Sequence, residues 1–269
     1  MNPKLKKTSA NSYYPYLQTA LKASRAASKI ASHYYQLAQS DSLAIEIKSD
    51  QSPVTVADRE AETAIRNIIL GDWPEHDIYG EEHGRIHADS DFLWLVDPID
   101  GTKSFVRGYG FFSVQIALML KGKLVLGVSC APVMNELAWA LRGEGAYLND
   151  KAIQVSDISA LEESTVSTGN LSSIATSSSW QALGEVLSGC GKTRGYGDFY
   201  HYHRLAAGQL EIVIESDLNI LDIAALTIII EEAGGQVSDL HGQPVNLNTS
   251  SLLASNGKSH NQLLKRLDY

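Results

Sequence analysis

The chain is 269 residues long, 44% apolar and 20% charged, with 31 acidic against 22 basic side chains and a net charge of -9. That balance suits a globular protein with one large core or two smaller halves, and it offers no general field for nucleic acid or an anionic membrane surface. Cys130 and Cys190 are too few and too far apart for a disulfide framework or a zinc motif, so both are expected as small buried apolar residues. No apolar run approaches the ~18 residues of a membrane span. The basic, polar start has no secretory signal, so a cytoplasmic protein is expected.

Tyr16 to Leu37 carries Leu17, Ala20, Leu21, Ala27, Ile30, Ala31, Tyr34 and Leu37 at helical spacing, an amphipathic helix whose task is packing. Ser40 to Thr55 is polar and turn-rich, a mobile loop that includes Lys48. Val54-Thr-Val-Ala-Asp58 leads into a second helix over Arg59 to Leu70, and Asp58 stands near its start, where a carboxylate caps well. Asp77 to Gly80 reads as a short strand that breaks into the adjacent acids Glu81 and Glu82. Such carboxylates repel unless solvent or a cation separates them.

Phe92-Leu-Trp-Leu-Val96 is an apolar run bounded by Pro98 and Gly101, as in a strand buried on both faces. It ends in Asp97-Pro-Ile-Asp100-Gly-Thr102. Pro98 stiffens this corner, which offers the Asp97 and Asp100 carboxylates and the Ile99 carbonyl as hard oxygens for magnesium. The N–H groups of Gly101 and Thr102 beyond them form an anion-binding concavity. As Asp-Pro and Asp-Gly are also common turn dipeptides, a plain turn is the alternative for this stretch by itself.

Phe112 to Leu120, Leu124 to Ala131 and Glu136 to Leu141 read as strands, and Gly143 to Asn149 as a turn and strand. The polar stretch from Lys151 to Leu161 marks a boundary, giving an N-terminal half over 1–155 and a C-terminal half over 156–269. The second half alternates strands at Ser164–Thr168, Lys192–Tyr196 and Leu210–Glu215 with helices at about Trp180–Leu187 and through Arg204–Ala207. His201 and His203 fall two apart in that last helix, so they take different faces as surface or packing residues rather than metal ligands. Asn219 to Glu232 is a nearly all-apolar helix stopped by Gly234 and Gly235, and Asp222 in its first turn suits either a cap or a ligand. A strand at Ser251–Ser255 and a helix at Asn261–Leu267 close the chain.

Asp58 in its Val-Thr-x-Ala-Asp setting, Gly80-Glu81-Glu82, Asp97-Pro-Ile-Asp100-Gly-Thr102 and Asp222-Ile-Ala-Ala, in that order, resemble the inositol monophosphatase superfamily. The resemblance runs from about Tyr16 to the C-terminus. It implies an α/β (α+β) fold of five alternating α-β-α-β-α layers, a homodimer, sensitivity to lithium and dependence on two or three Mg2+ ions, with Mn2+ a possible substitute. By the same resemblance one ion is held by Glu81, Asp97 and the Ile99 carbonyl, a second by Asp97, Asp100 and Asp222, and a weaker third by Glu81 and water. Asp58, Thr102 and Glu81 are then the catalytic set, Gly101 and Thr102 bind phosphate, and Lys48 belongs to a mobile loop. Arg194, Gly197, Asp198, Glu215 and Asp100 are the candidates for substrate contact. The acid at Asp198 looks like the histidinol-phosphate phosphatase branch, although Phe199 stands where that branch often has Cys. Asp198 or Glu215 would pair with the ammonium of an amino alcohol. The expected substrate is L-histidinol phosphate, with inositol 1-phosphate or a range of sugar and nucleotide phosphates as the second reading. A non-catalytic metal or phosphate sensor is the reading from another class.

Overall fold

The structure is a computed structural model that describes residues 13–39, 53–86 and 89–269. Lys48 and most of the polar stretch around it lie outside those residues. Two long helices, α1 (Tyr14–Gln39) and α2 (Pro53–Asp72), precede a sheet made of β1 (Asp77–Gly80), β2 (Gly84–Ile86), β3 (Phe92–Asp100), β4 (Ser113–Leu120), β5 (Lys123–Ala131), β6 (Glu136–Leu141), β7 (Gly145–Leu148) and β8 (Lys151–Ile153). A short helix, α3 (Thr102–Val106), follows β3 directly. The sheet runs in the order β2-β1-β3-β4-β5-β6-β7-β8, with β1 and β3 parallel and the other neighbours antiparallel.

A 3-10 turn at Leu161–Glu163 leads to β9 (Thr165–Thr168), α4 (Ser172–Ala175), α5 (Ser179–Gly189), β10 (Lys192–Arg194), α6 (Asp198–Ala206), β11 (Ile212–Ser216), α7 (Ile220–Glu232), β12 (Gln236–Ser238), β13 (Ser251–Ser255) and α8 (His260–Leu267). These strands form a second sheet in the order β10-β9-β11-β13-β12. Helices α1 and α2 cover one face of the first sheet, while α6 and α7 lie between the two sheets. Helices α5 and α8 close the far face of the second sheet. Five layers in the order helix, sheet, helix, sheet, helix result, as the resemblance implied.

The apolar patterns explain these layers. Trp94 and Val96 on β3 face α1 and α2, whereas Leu93 and Leu95 face α7. A strand covered on both faces has no need of polar alternation. Helix α7 is apolar all round because it has a sheet on each side, and nearly all its residues are buried. A Cβ on Gly127 of β5 would lie 2.5 Å from the carbonyl oxygen of Ala225, so glycine there lets α7 approach the sheet closely.

Three local expectations are corrected. Helix α2 begins at Pro53 rather than Arg59, which places Asp58 inside the helix and removes it as a cap. Proline suits a first helical position because the N–H it lacks would have no partner there. Strand β8 occupies the first residues of the polar stretch expected to be a turn, pairing antiparallel with β7. Being exposed at the sheet edge, it carries little apolar signal. His201 and His203 face different ways, as expected, and of the two alternatives, surface or packing, full burial makes both packing residues. The two cysteines are free and only half-buried.

Candidate active site

Asp97 and Asp100 both lie in β3, three residues apart, so a regular pleat would send them to opposite faces. The register shows why it does not. Asp97 pairs with Gln115 and Asp100 with Ser113, so three steps on β3 match two on β4. This bulge returns both carboxylates to the same side, and bulges of this kind often re-aim side chains next to sites. Pro98 sits within it, where a missing N–H removes no ladder bond.

The bulge is held by hydrogen bonds. Ile99 donates its N–H to Asp97 Oδ1 at 3.0 Å, and Thr102 Oγ1 donates to the Ile99 carbonyl at 3.1 Å. Gln115 Nε2 and Ser113 Oγ each donate to Asp100 Oδ2 at 3.3 Å. Gly101 has φ +88°, a left-handed conformation that disfavours a side chain, and a Cβ there would lie 2.5 Å from the Phe111 carbonyl oxygen. It opens α3, whose first N–H groups have no intrahelical partner. Phe105 and Phe112, packed with Tyr35, Ala57 and Ile99, seat this loop against α1 and α2.

Asp222 comes from the start of α7. It completes a capping box, with Asn219 Oδ1 accepting the Leu221 N–H at 3.0 Å and Asp222 Oδ2 accepting the Asn219 N–H at 2.8 Å. The same side chain meets β3: oxygens of Asp97, Asp100 and Asp222 all lie within 4.8 Å of one another. Glu81, in the turn between β1 and β2, is exposed as a residue, yet its carboxyl is within hydrogen-bonding reach of Asp97. Asp58 is buried on α2, and its Oδ1 has no hydrogen-bond partner among the described residues.

Crowding raises the proton affinity of the whole group. Burial, then Asp100, Glu81, Asp222 and Asp58, holds the Asp97 carboxyl well above the usual range. Burial, then Asp222 and Asp198, does the same to Asp100. Burial pushes Asp222 up to about 6 and, with Glu82, Glu81 and Glu62, pushes Asp58 up to about 8. Glu81 is raised chiefly by burial, against the hydrogen bond to Asp97. A divalent cation removes this repulsion. The donor set fits one: several convergent carboxylate oxygens with no thiolate or imidazole among them suit a hard cation such as Mg2+.

A cavity of about 40 Å³ adjoins the cluster, bounded by Asp100, Asp222, Asp198, Tyr202, Glu215 and Asn170. Glu215 is buried and well supplied with donors: Tyr202 Oη at 2.6 Å, His201 Nε2 at 3.1 Å and the Asn170 N–H at 3.0 Å. Although burial opposes ionisation, these partners hold Glu215 below the usual carboxylate range. Gly169 leaves room for it, since a Cβ there would fall 1.9 Å from Glu215 Oε1. Asp198 follows Gly197 at the start of α6 and accepts a hydrogen bond from Ser104 at 3.0 Å, while burial raises its proton affinity. Arg194 stands apart from the cavity wall, with Nη1 donating to the neighbouring Thr193 carbonyl. A larger cleft of about 600 Å³ beside β4 and β5 contains none of the candidate residues, so size does not mark the chemistry here.

Sequence reasoning did not single out Glu62, Gln115, Asn170 or Tyr202. Glu62 and Arg66 had one legible signal, the i,i+4 spacing of an acid and a base on one helix. His201, read only as a surface or packing residue, bonds Glu215 in the cavity wall. His203 is held by Glu136 and Ser129, each at 2.9 Å, away from the cavity.

Comparison with known proteins agrees with this geometry. The model of the Inositol monophosphatase family matches residues 13–268. A histidinol-phosphatase of Chlorobaculum parvum is 34% identical over 250 residues, covering 93% of this chain and 95% of that protein. A protein called Nus factor SuhB, from Pasteurella multocida, is 33% identical over 257 residues, 94% of this chain and 96% of its own length. Among solved structures, an inositol monophosphatase from Zymomonas mobilis superimposes with a TM-score of 0.84 at 30% identity, covering 96% of this chain and all of that one.

Proposed function

Because the chain belongs to the inositol monophosphatase family, we propose that it is a magnesium-dependent phosphomonoesterase acting on L-histidinol phosphate, releasing L-histidinol and phosphate. The observation that carries the substrate is Glu215, a buried carboxylate kept ionised by His201, Tyr202 and Asn170 in the wall of the cavity beside the acidic cluster. An ionised acid facing the leaving group favours an alcohol that carries an ammonium, and a hydroxyl-only alcohol gains less from it. Asp198, across the same cavity, is the second acid available to that ammonium.

In this reading Glu81, Asp97, Asp100, Asp222 and the Ile99 carbonyl hold two or three Mg2+ ions, and Mn2+ substitutes. When bound there, magnesium supplies Lewis acidity to the phosphoryl oxygens and lowers the pKa of water. The N–H groups of Gly101 and Thr102 orient the phosphate and favour the charge that gathers on it. Thr102, fixed by the Ile99 carbonyl, and Asp58 on the adjoining helix orient the attacking water and take its proton. The water oxygen forms a bond to phosphorus as the bond to the alcohol oxygen breaks, and the leaving oxygen takes its proton from solvent water. No covalent protein intermediate is needed. In the same reading residues 1–155 carry the metal and phosphate site and residues 156–269 the substrate contacts, Arg194 and Gly197 included. Residence in the cytoplasm, assembly as a homodimer and inhibition by lithium belong to it too.

A second reading, inositol 1-phosphate or a broad set of sugar and nucleotide phosphates, is favoured by the Zymomonas mobilis likeness, since Asp198 and Glu215 also accept bonds from hydroxyls. A panel of these esters with purified protein and magnesium separates the two. Higher kcat/KM for L-histidinol phosphate is expected, and higher kcat/KM for inositol 1-phosphate would exclude it as the preferred substrate.

A further inference from the structure

Glu62 is wholly buried on α2, one turn beyond Asp58. Its Oε2 accepts the Glu82 N–H at 2.6 Å, while Oε1 accepts the His83 N–H at 3.2 Å and Arg66 Nε at 2.6 Å. Arg66, also buried, extends Nη2 to the Gly84 carbonyl. A Cβ on Gly80 would lie 2.2 Å from Glu62 Oε1, so the chain passes against this carboxylate at a point where only glycine fits. The turn is therefore held at Glu82, His83 and Gly84 by one acid and one base of α2, with Gly80 pressed against the same acid. The residue between Gly80 and Glu82 is Glu81, whose carboxyl reaches Asp97.

A buried ion pair is a weak source of stability, and a surface turn would satisfy the same two N–H groups with water. Its value here is geometric. We propose that Glu62, held by Arg66, is a positioning residue that fixes the β1–β2 turn so that Glu81 stands against Asp97 before a cation binds. Glu62 thereby sets cation affinity without ligating the ion, as partners behind a ligand commonly do. The proposal rests on the reading of the acidic cluster as a cation site.

The test is calorimetric titration of the intact protein with MgCl2, together with amide exchange at Glu82 and His83. Glu62→Gln and Arg66→Gln should each weaken Mg2+ binding by about tenfold. Arg66→Gln is the decisive variant. If Arg66 acted only through its charge, removing a cation near the acids would tighten Mg2+ binding. A looser turn predicts weaker binding instead. Arg66→Lys keeps the charge but loses the planar fork that spans Glu62 and Gly84, so it should also weaken binding, and it serves if the Gln variants fail to fold. Both amides should exchange faster in Glu62→Gln. Unchanged or tighter Mg2+ binding in Arg66→Gln or Arg66→Lys, or unchanged exchange at both amides, would overturn the proposal. Absence of Mg2+ binding by the parent protein would instead count against the cation-site reading, and amide exchange would still decide whether Glu62 grips the turn.

Discussion

Asp222 caps its own helix through the Asn219 N–H, 2.8 Å away, with the same carboxyl that meets Asp97 and Asp100. The two roles can be separated by substitution. Asp222→Asn keeps an oxygen for the Asn219 amide and removes the charge, so Mg2+ affinity should fall at least tenfold with little change in Tm. Asp222→Ala also loses the cap, a further ~1 kcal/mol. Calorimetry and thermal melting of the two variants check this.

The raised carboxyls give stability a definite pH dependence in protein stripped of divalent ions. Asp58 has a folded pKa of about 8 against an ordinary 3.8, so the folded chain binds more protons across that interval. Stability should therefore fall as pH rises toward 8, by up to about 1.4 kcal/mol per pH unit for each such group. His260, held down to about 4 by burial, and the buried His76 and His203, also lowered, act in the opposite sense below their ordinary 6.5. The window from pH 6.5 to 8 isolates the acids. Melting in chelator should show Tm falling across it. Excess Mg2+ should raise Tm more at pH 8 than at pH 6.5, because binding displaces fewer protons there.

Glu215→Gln removes the cavity's ionised acid while preserving its size. It should lower kcat/KM for L-histidinol phosphate about tenfold or more, and that for inositol 1-phosphate much less. Equal losses would show that Glu215 does not read charge. Tyr202→Phe takes one donor from the buried Glu215 and should lower stability by about 1.5–3 kcal/mol, measured by denaturant unfolding.

Gly101→Ala should damage the phosphate loop alone. Its left-handed backbone and the nearby Phe111 carbonyl leave no room for a methyl. Competitive inhibition by inorganic phosphate should weaken at least tenfold at saturating Mg2+, while calorimetric Mg2+ affinity changes little.

Much of the fold was legible because its layers impose strong patterns. Helix α7, with a sheet on each side, has to be apolar all round, and β3, covered on both faces, has to lack alternation. The acids of the site were legible for the reason that they break those patterns: Asp97 and Asp100 end an apolar run, and Asp222 opens one. What stayed hidden depends on contacts between distant segments. Glu62 looks in the sequence like any acid on a solvated helix face, and its grip on the Glu81 turn exists only once α2 lies beside β1. For His201 and His203 the spacing left surface and packing both open, and packing holds because α6 lies between the sheets, a burial that spacing alone does not reveal. Asp58 seemed a cap because the helix signal of Pro53 was absorbed into the polar stretch before it.

The central claim is that carboxylates from the β1–β2 turn, β3 and α7 act through a divalent cation they hold together, with Asp58 of α2 serving the water beside it. Its most direct test is the rate of L-histidinol phosphate and inositol 1-phosphate hydrolysis by chelator-stripped protein, before and after return of MgCl2, with Asp97→Asn in parallel. The account predicts background turnover without the ion, recovery with it, and none in the variant under either condition. Full turnover in stripped protein, or normal turnover by Asp97→Asn, would contradict it.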